Sequence, residues 1–285
     1  MPAPLLQLFM TPGEMPFSVP ASRFFLLPLV FVSVFASLGH AESLSAGSQG
    51  AGRLQRPGWI FFDRGERVEY RASWNGIPVA SADIHAEPVT MDGKRFYEVK
   101  VLARTWRYLE LIWKMRDSIE SVFEAETLHP RRFIFRQREN RRRIDTTAHF
   151  DPLSQTWSVR RQQGRKVREY EFVSQETLDP IVAFYLARGL DLRVGDSVRL
   201  NVFGGKSRYL LVLNVVGRER VAVRAGDFDA YRIVPQVWNL TRSGYAGRLR
   251  QAVVWISADE KRWPLRMVSE VFIGSVDIEM VGVKS

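Results

Sequence analysis

Residues 68–77 read Val-Glu-Tyr-Arg-Ala-Ser-Trp-Asn-Gly-Ile, and this stretch decides the fold. From Val68 to Trp74 apolar and polar residues alternate, which is the period of a strand with one buried face. Asn75-Gly76 follows. Two-residue hairpin loops favour this pair, because both central positions need a positive φ. The chain then returns through residues 77–86 as the second strand of a hairpin.

The same signature recurs in both directions from this hairpin. Asp92-Gly93 is a second turn, followed by a strand over residues 96–102. Residues 118–123 alternate, and His129-Pro130 breaks the chain before Phe133-Ile134-Phe135. Residues 131–173 read as a run of antiparallel strands. Ile144, Thr146, Ala148 and Phe150 share one parity, as do Trp157 and Val159, then Tyr170 and Phe172. Asp151-Pro152 and Gln163-Gly164 mark the turns. Further strands are expected at 197–203 and 209–216 around Gly204-Gly205, and at 220–224 and 230–234 around Gly226-Asp227. Residues 251–256, 265–272 and 276–283 close the chain, with Gly274-Ser275 as the last turn.

Two segments carry helical signals. Trp106, Leu109 and Trp113 approach helical spacing and predict a short helix within 104–113. Residues 179–189 are more explicit: Asp179 suits an N-cap, Pro180 the first helical position and Gly189 the exit. The expected fold is mostly β, one or more curved antiparallel sheets or half-barrels with one or two short helices. The expected organisation is a signal peptide at 1–41, a flexible Ser/Gly/Ala-rich leader at 42–58, a β-rich portion at 59–178, and a helix plus second β-rich portion at 179–285.

The export reading rests on residues 23–41. Arg23 precedes the apolar run FFLLPLVFVSVFASL, and Gly39-His40-Ala41 supplies the small residues of a cleavage site after Ala41. The run is short for a bilayer span of about 20 residues, and Pro28 interrupts it. No later segment is apolar and long enough to span, so no membrane span is expected after cleavage. Nothing basic lies between Met1 and Arg23, so translation is expected to start at Met15. The chain has no cysteine, which excludes disulfides, thiolate metal sites, cysteine nucleophiles and an acylated N-terminal cysteine. Its net charge of +10 falls entirely beyond residue 41, where Glu14 and Arg23 have already cancelled.

Several landmarks together resemble a bacterial family known as domain of unknown function 3108. They are Gly65-Glu66 with Val68 and Tyr70, Trp74-Asn75-Gly76-Ile77, Asp179-Pro180 with Tyr185 and Arg188, and Gly195-Asp196. Val254-Trp255-Ile256-Ser257, Asp259, Arg262, Pro264 and Gly274 complete the series. The resemblance implies an exported, mostly β protein and assigns no activity. The ending is also similar to lipoprotein-carrier-type half-barrels, at the level of fold alone.

No catalytic residue, cofactor or metal site is assigned. The chain has neither Gly-x-Ser-x-Gly nor a Ser-x-x-Lys catalytic context, and His85, His129 and His149 lack metal-ligand spacing. Gly204-Gly205-Lys206-Ser207 echoes a phosphate loop but lies between strands, so it reads as a hairpin turn. The conspicuous chemistry is basic. Arg132, Arg136, Arg138 and Arg160 are the candidate anion contacts, because guanidinium groups bind phosphate and carboxylate bidentately. Trp106 and Trp113 are the candidate apolar-ligand contacts, set among Arg104, Arg107, Lys114 and Arg116. Nucleic acid fits the charge but not the compartment, so no nucleic-acid partner is expected. The expected role is non-catalytic binding, in the periplasm or outside the cell, of an anionic or amphiphilic envelope component: anionic lipid, lipopolysaccharide or peptidoglycan. The alternative is an assembly module docking envelope proteins, and behind it an enzyme acting on peptidoglycan or glycan. An open apolar interior with the arginines at its mouth would favour a carrier; a packed interior with the arginines scattered outward would place the assembly module ahead of it.

Overall fold

The computed structural model describes residues 65–241, 252–271 and 274–284. The expected signal peptide, start at Met15, cut after Ala41 and leader all lie outside the described residues. The described chain forms one sheet of fifteen strands. In chain order the first eight are β1 (Glu66–Trp74), β2 (Ile77–Met91), β3 (Lys94–Thr105), β4 (Arg116–Glu124), β5 (Pro130–Glu139), β6 (Arg142–Asp151), β7 (Thr156–Gln163) and β8 (Lys166–Val173). The two-residue β9 (Thr177–Leu178) and the helix α1 (Pro180–Arg188) follow. The last six are β10 (Ser197–Phe203), β11 (Arg208–Val223), β12 (Gly226–Asn239), β13 (Val253–Ser257), β14 (Pro264–Glu270) and β15 (Ser275–Lys284). Every ladder is antiparallel except the short parallel contact of β9 with β10.

The strand order runs from β8 through β1 and β15 to β9, so consecutive strands β8 and β9 sit at opposite edges. Fifteen strands laid flat would separate those edges by about 67 Å at roughly 4.8 Å per strand. The link from Val173 to Thr177 spans at most about 14 Å of extended chain. The sheet must therefore roll until its edges meet. They meet through side chains rather than a hydrogen-bonded ladder: Phe203 on β10 lies 5.8 Å from the Trp157 ring and 5.3 Å from Phe172. The result is a curved, unclosed antiparallel barrel.

Among the described residues the inside of the roll is packed. α1 lies within it, and Ile181, Val182, Tyr185 and Leu186 pack among Val99, Phe123, Phe133, Trp157, Val202 and Ile256 from both halves of the sheet. Asp179 caps the helix: Oδ1 accepts from the Ile181 and Val182 amides at 2.8 and 3.0 Å, and Oδ2 from the Ser121 hydroxyl at 2.7 Å. The gap left between α1 and β10–β14 is about 60 Å³, lined by residues such as Ala183, Phe184, Val202 and Ile233. That is small beside the roughly 300–1,000 Å³ of small-molecule pockets.

Some expected elements differ. The helix expected within 104–113 is only a 3₁₀ turn, Arg107–Leu109. Its large side chains point to opposite environments, Trp113 into the core and Leu111 to solvent, so no helical face is buried. The expected strands 209–216 and 220–224 are one strand, β11, bent by a bulge at Val215/Gly217. The Asn75-Gly76 turn forms as read, with φ of 47° and 81°.

Candidate functional site: the basic, aromatic end of the barrel

Alternation of antiparallel strands sends the β1–β2, β3–β4, β5–β6, β7–β8 and β10–β11 connections to the same end. Their sequences make that end basic. They carry Arg107, Lys114, Arg141, Arg165 and Lys206 against one carboxylate, Glu110. The connections at the opposite end carry Asp92, Glu126, Glu176, Asp191, Asp196, Asp259 and Glu260 against Arg193, Arg224, Lys261 and Arg262. The barrel is thus electrostatically polarised along its axis.

The β3–β4 connection is the most prominent part of the basic end. Thr105 and Met115 close its base by exchanging backbone and side-chain hydrogen bonds at 3.1 Å. Trp113 is 4% exposed and packs with Val79, Ala103, Met115 and Val276. With that anchor buried, the tip projects: Leu111 is 97% exposed and Ile112 69%. Trp106 and Tyr108 stand beside them edge to face at 6.1 Å, and the Tyr108 hydroxyl donates to the Pro78 carbonyl. Asn140 latches the tip to the β5–β6 turn, its Oδ1 accepting from the Lys114 amide at 2.8 Å and its own amide donating to the Lys114 carbonyl at 2.7 Å. Arg116 donates to Glu110 at 3.0 Å and holds that carboxyl below its usual range. Arg104 and Arg107 are exposed, with no carboxylate within 4.0 Å among the described residues.

The six sequence-predicted contacts are distributed differently from that lip. Arg132, Arg136 and Arg138 lie on the outer face of β5, and Arg160 on the outer face of β7. Each is engaged by a carboxylate: Arg132 with Glu98 at 3.4 Å, Arg136 with Glu120 at 2.6 Å, Arg138 with Asp145 at 2.6 Å and Arg160 with Glu169 at 3.1 Å. Of the two tryptophans, Trp106 reaches the surface and Trp113 is core. The sequence places Leu111 and Ile112 in the same aromatic cluster, but only the two tryptophans are singled out there as apolar-ligand contacts. Two adjacent aliphatic residues between Glu110 and the Trp113-Lys114 pair could have flagged them, because no strand or helix period places both inside.

A second polar cluster lies at the acidic end. Arg188 and Glu66 pair with exposures of 1% and 5%, and the Tyr185 hydroxyl donates to Glu66 at 2.9 Å. The Arg188 guanidinium also sits 4.7 Å from the Trp263 ring. Among the described residues no group of three His, Asp or Glu side chains is placed to hold a metal ion. No helix there is long and apolar enough to cross a membrane.

These features define a class: an unclosed, β-barrel-like protein with a helix packed inside. The chain belongs to the family of proteins of unknown function DUF3108, whose profile matches residues 69–281. Among solved structures it is similar to a β-barrel-like protein of domain of unknown function DUF1849 from Brucella abortus. The TM-score is 0.52 at 8% identity, over 77% of this chain and 97% of that one. A protein from Parabacteroides distasonis, provisionally described as a lipoprotein, aligns with TM-score 0.37 and 11% identity over 79% of this chain and 98% of that one. One from Bacteroides fragilis, provisionally described as exported with a YmcC-like fold, aligns with TM-score 0.32 and 11% identity over 78% and 96%. A search of curated proteins finds no match.

Proposed function

We propose that this protein is an exported, non-catalytic component of the cell envelope that docks end-on against an anionic, amphiphilic surface. The observation that carries the reading is the exposure of Leu111 and Ile112 at the tip of a basic end. Two aliphatic side chains held in water beside Trp106 and Tyr108 gain by entering an interfacial layer. Arg104, Arg107, Lys114 and Arg141 around them favour anionic head groups. The signal pattern ending at Ala41 supports export to where such a surface exists. The packed interior argues against carrying an acyl chain inside the sheet, so the contact is placed on the surface.

Co-sedimentation with vesicles tests this. The purified exported form is expected to bind phosphatidylglycerol-containing vesicles, to bind neutral phosphatidylcholine vesicles weakly, and to be released by salt. Leu111→Glu with Ile112→Glu is expected to abolish binding while leaving the melting temperature unchanged. Equal binding to neutral and anionic vesicles would reject the cationic contribution. A chain blind to every vesicle would reject surface docking and leave the assembly-module reading in its place.

A further inference from the structure

The inner face of β6, β7 and β8 changes character along the barrel. Its cross-strand rows run Phe150–Trp157–Phe172, then Ala148–Val159–Tyr170, then Thr146–Arg161–Arg168. Within two rungs an aromatic core face becomes cationic. Arg161 and Arg168 are direct cross-strand partners, a like-charge arrangement that weakens a sheet. Arg161 is partly buried, and its Nη1 donates to Thr146 Oγ1 at 2.8 Å. Among the described residues no carboxylate lies within 4.0 Å of either arginine. The outer-face Arg160, one residue away, has Glu169. The ionisable groups facing Arg161 are Arg142, Tyr170, Arg168 and Tyr209, two cations and two phenols. Burial, with Arg142 and Arg168 behind it, lowers the Arg161 pKa. Among the described residues the buried Tyr170 hydroxyl has no hydrogen-bond partner.

A partly buried cation such as Arg161 without a counter-charge is costly, the more so beside the exposed Arg168, and so is an orphaned hydroxyl. Here two guanidiniums and an unused phenol converge on one place, with the Thr146 hydroxyl beside them. A single anion between them would remove the repulsion and satisfy the phenol. The four donors come from three adjacent strands, which suits the several oxygens of a tetrahedral oxyanion better than the two of a carboxylate. We propose that Arg161 and Arg168, with the Tyr170 and Thr146 hydroxyls, form a phosphoryl-binding seat on the inner rim of β6–β8. The seat uses none of the residues of the docking lip, so the two ideas stand or fall separately.

The experiment is thermal unfolding of the whole exported chain in inorganic phosphate against chloride at matched ionic strength. Phosphate is expected to raise the melting temperature saturably. Arg161→Gln and Arg168→Gln are each expected to weaken phosphate about tenfold or more, while Arg160→Gln leaves it unchanged. If Arg161→Gln does not fold, the exposed Arg168→Gln carries the test. Monomeric dihexanoyl phosphatidic acid, a soluble lipid phosphate, forms the second arm. Tighter binding than inorganic phosphate identifies a lipid head group as the source of the phosphoryl, and equal binding identifies free phosphate. No phosphate-specific shift, or an undiminished one in both glutamine variants, overturns the seat. Leu111→Glu/Ile112→Glu is expected to retain the phosphate response, so loss of vesicle binding alone bears only on docking.

Discussion

Glu66, the first residue of β1, and Arg188, in the last turn of α1, form a buried two-pronged ion pair across 122 residues of sequence, with contacts of 2.6 and 3.1 Å. The pair clamps the helix to the strand where the two halves of the sheet meet. Arg188 also donates to the Lys261 carbonyl at 3.1 Å, which ties in the β13–β14 turn. A desolvated pair contributes little net energy, but a broken one leaves a bare charge inside the protein. Arg188→Met is therefore expected to cost about 3–5 kcal/mol in urea unfolding, because Glu66 keeps only the Tyr185 hydroxyl and loses its counter-charge. Glu66→Leu with Arg188→Met is expected to recover most of that loss.

The tryptophans of the β3–β4 connection are expected to behave oppositely. Trp113→Ala empties a buried site and should cost about 3–5 kcal/mol of stability. Trp106, 37% exposed, should cost under about 1 kcal/mol as alanine while weakening vesicle binding. Urea unfolding and vesicle co-sedimentation on the two variants check both statements.

Asp117 predicts a pH dependence. Burial pushes its carboxyl up to about 7; the Arg138 amide donating at 2.7 Å works against this, and Glu139 adds to it. The folded protein therefore holds a proton that the unfolded chain releases at about pH 4. Stability from this group is complete below that pH and is lost as pH rises through about 7. Asp117→Asn is expected to flatten the fall in unfolding free energy between about pH 4 and 7. Denaturant titrations across that range provide the measurement.

Asp179→Ala removes the acceptor for two helix amides and the Ser121 hydroxyl. A loss of about 1–2 kcal/mol is expected from the cap. Ser121→Ala, which leaves both amides satisfied, should cost less. Burial raises Asp179 to about 6 despite those three hydrogen bonds, so Asp179→Asn should also soften the decline in stability between about pH 4 and 6.

Much of the β pattern was legible residue by residue. The Asn75-Gly76 and Asp92-Gly93 turns, the parities of β6 to β8 and the Asp179 cap all depend on neighbours within a few positions. The candidate site was less legible. Arg160 and Arg161 look equivalent in a basic run, yet strand alternation turns one outward to Glu169 and the other inward to Thr146. Continuing the parity of Trp157 and Val159 by one step would have pointed to Arg161. Trp106 and Trp113 also read as one aromatic cluster. Only the packing of Val79, Ala103 and Val276, from three different strands, separates anchor from lip.

The sequence by itself determined the period-two strands, the hairpin turns, the capped helix and the charge excess beyond residue 41, because propensity, turn geometry and composition are local properties. Tertiary structure decided what those pieces face. The short β8–β9 link rolls the sheet until its edges meet around α1. That roll brings Glu66 to Arg188 and Phe203 to Trp157 and Phe172. These juxtapositions depend on long-range closure of the chain, which no short window of residues encodes.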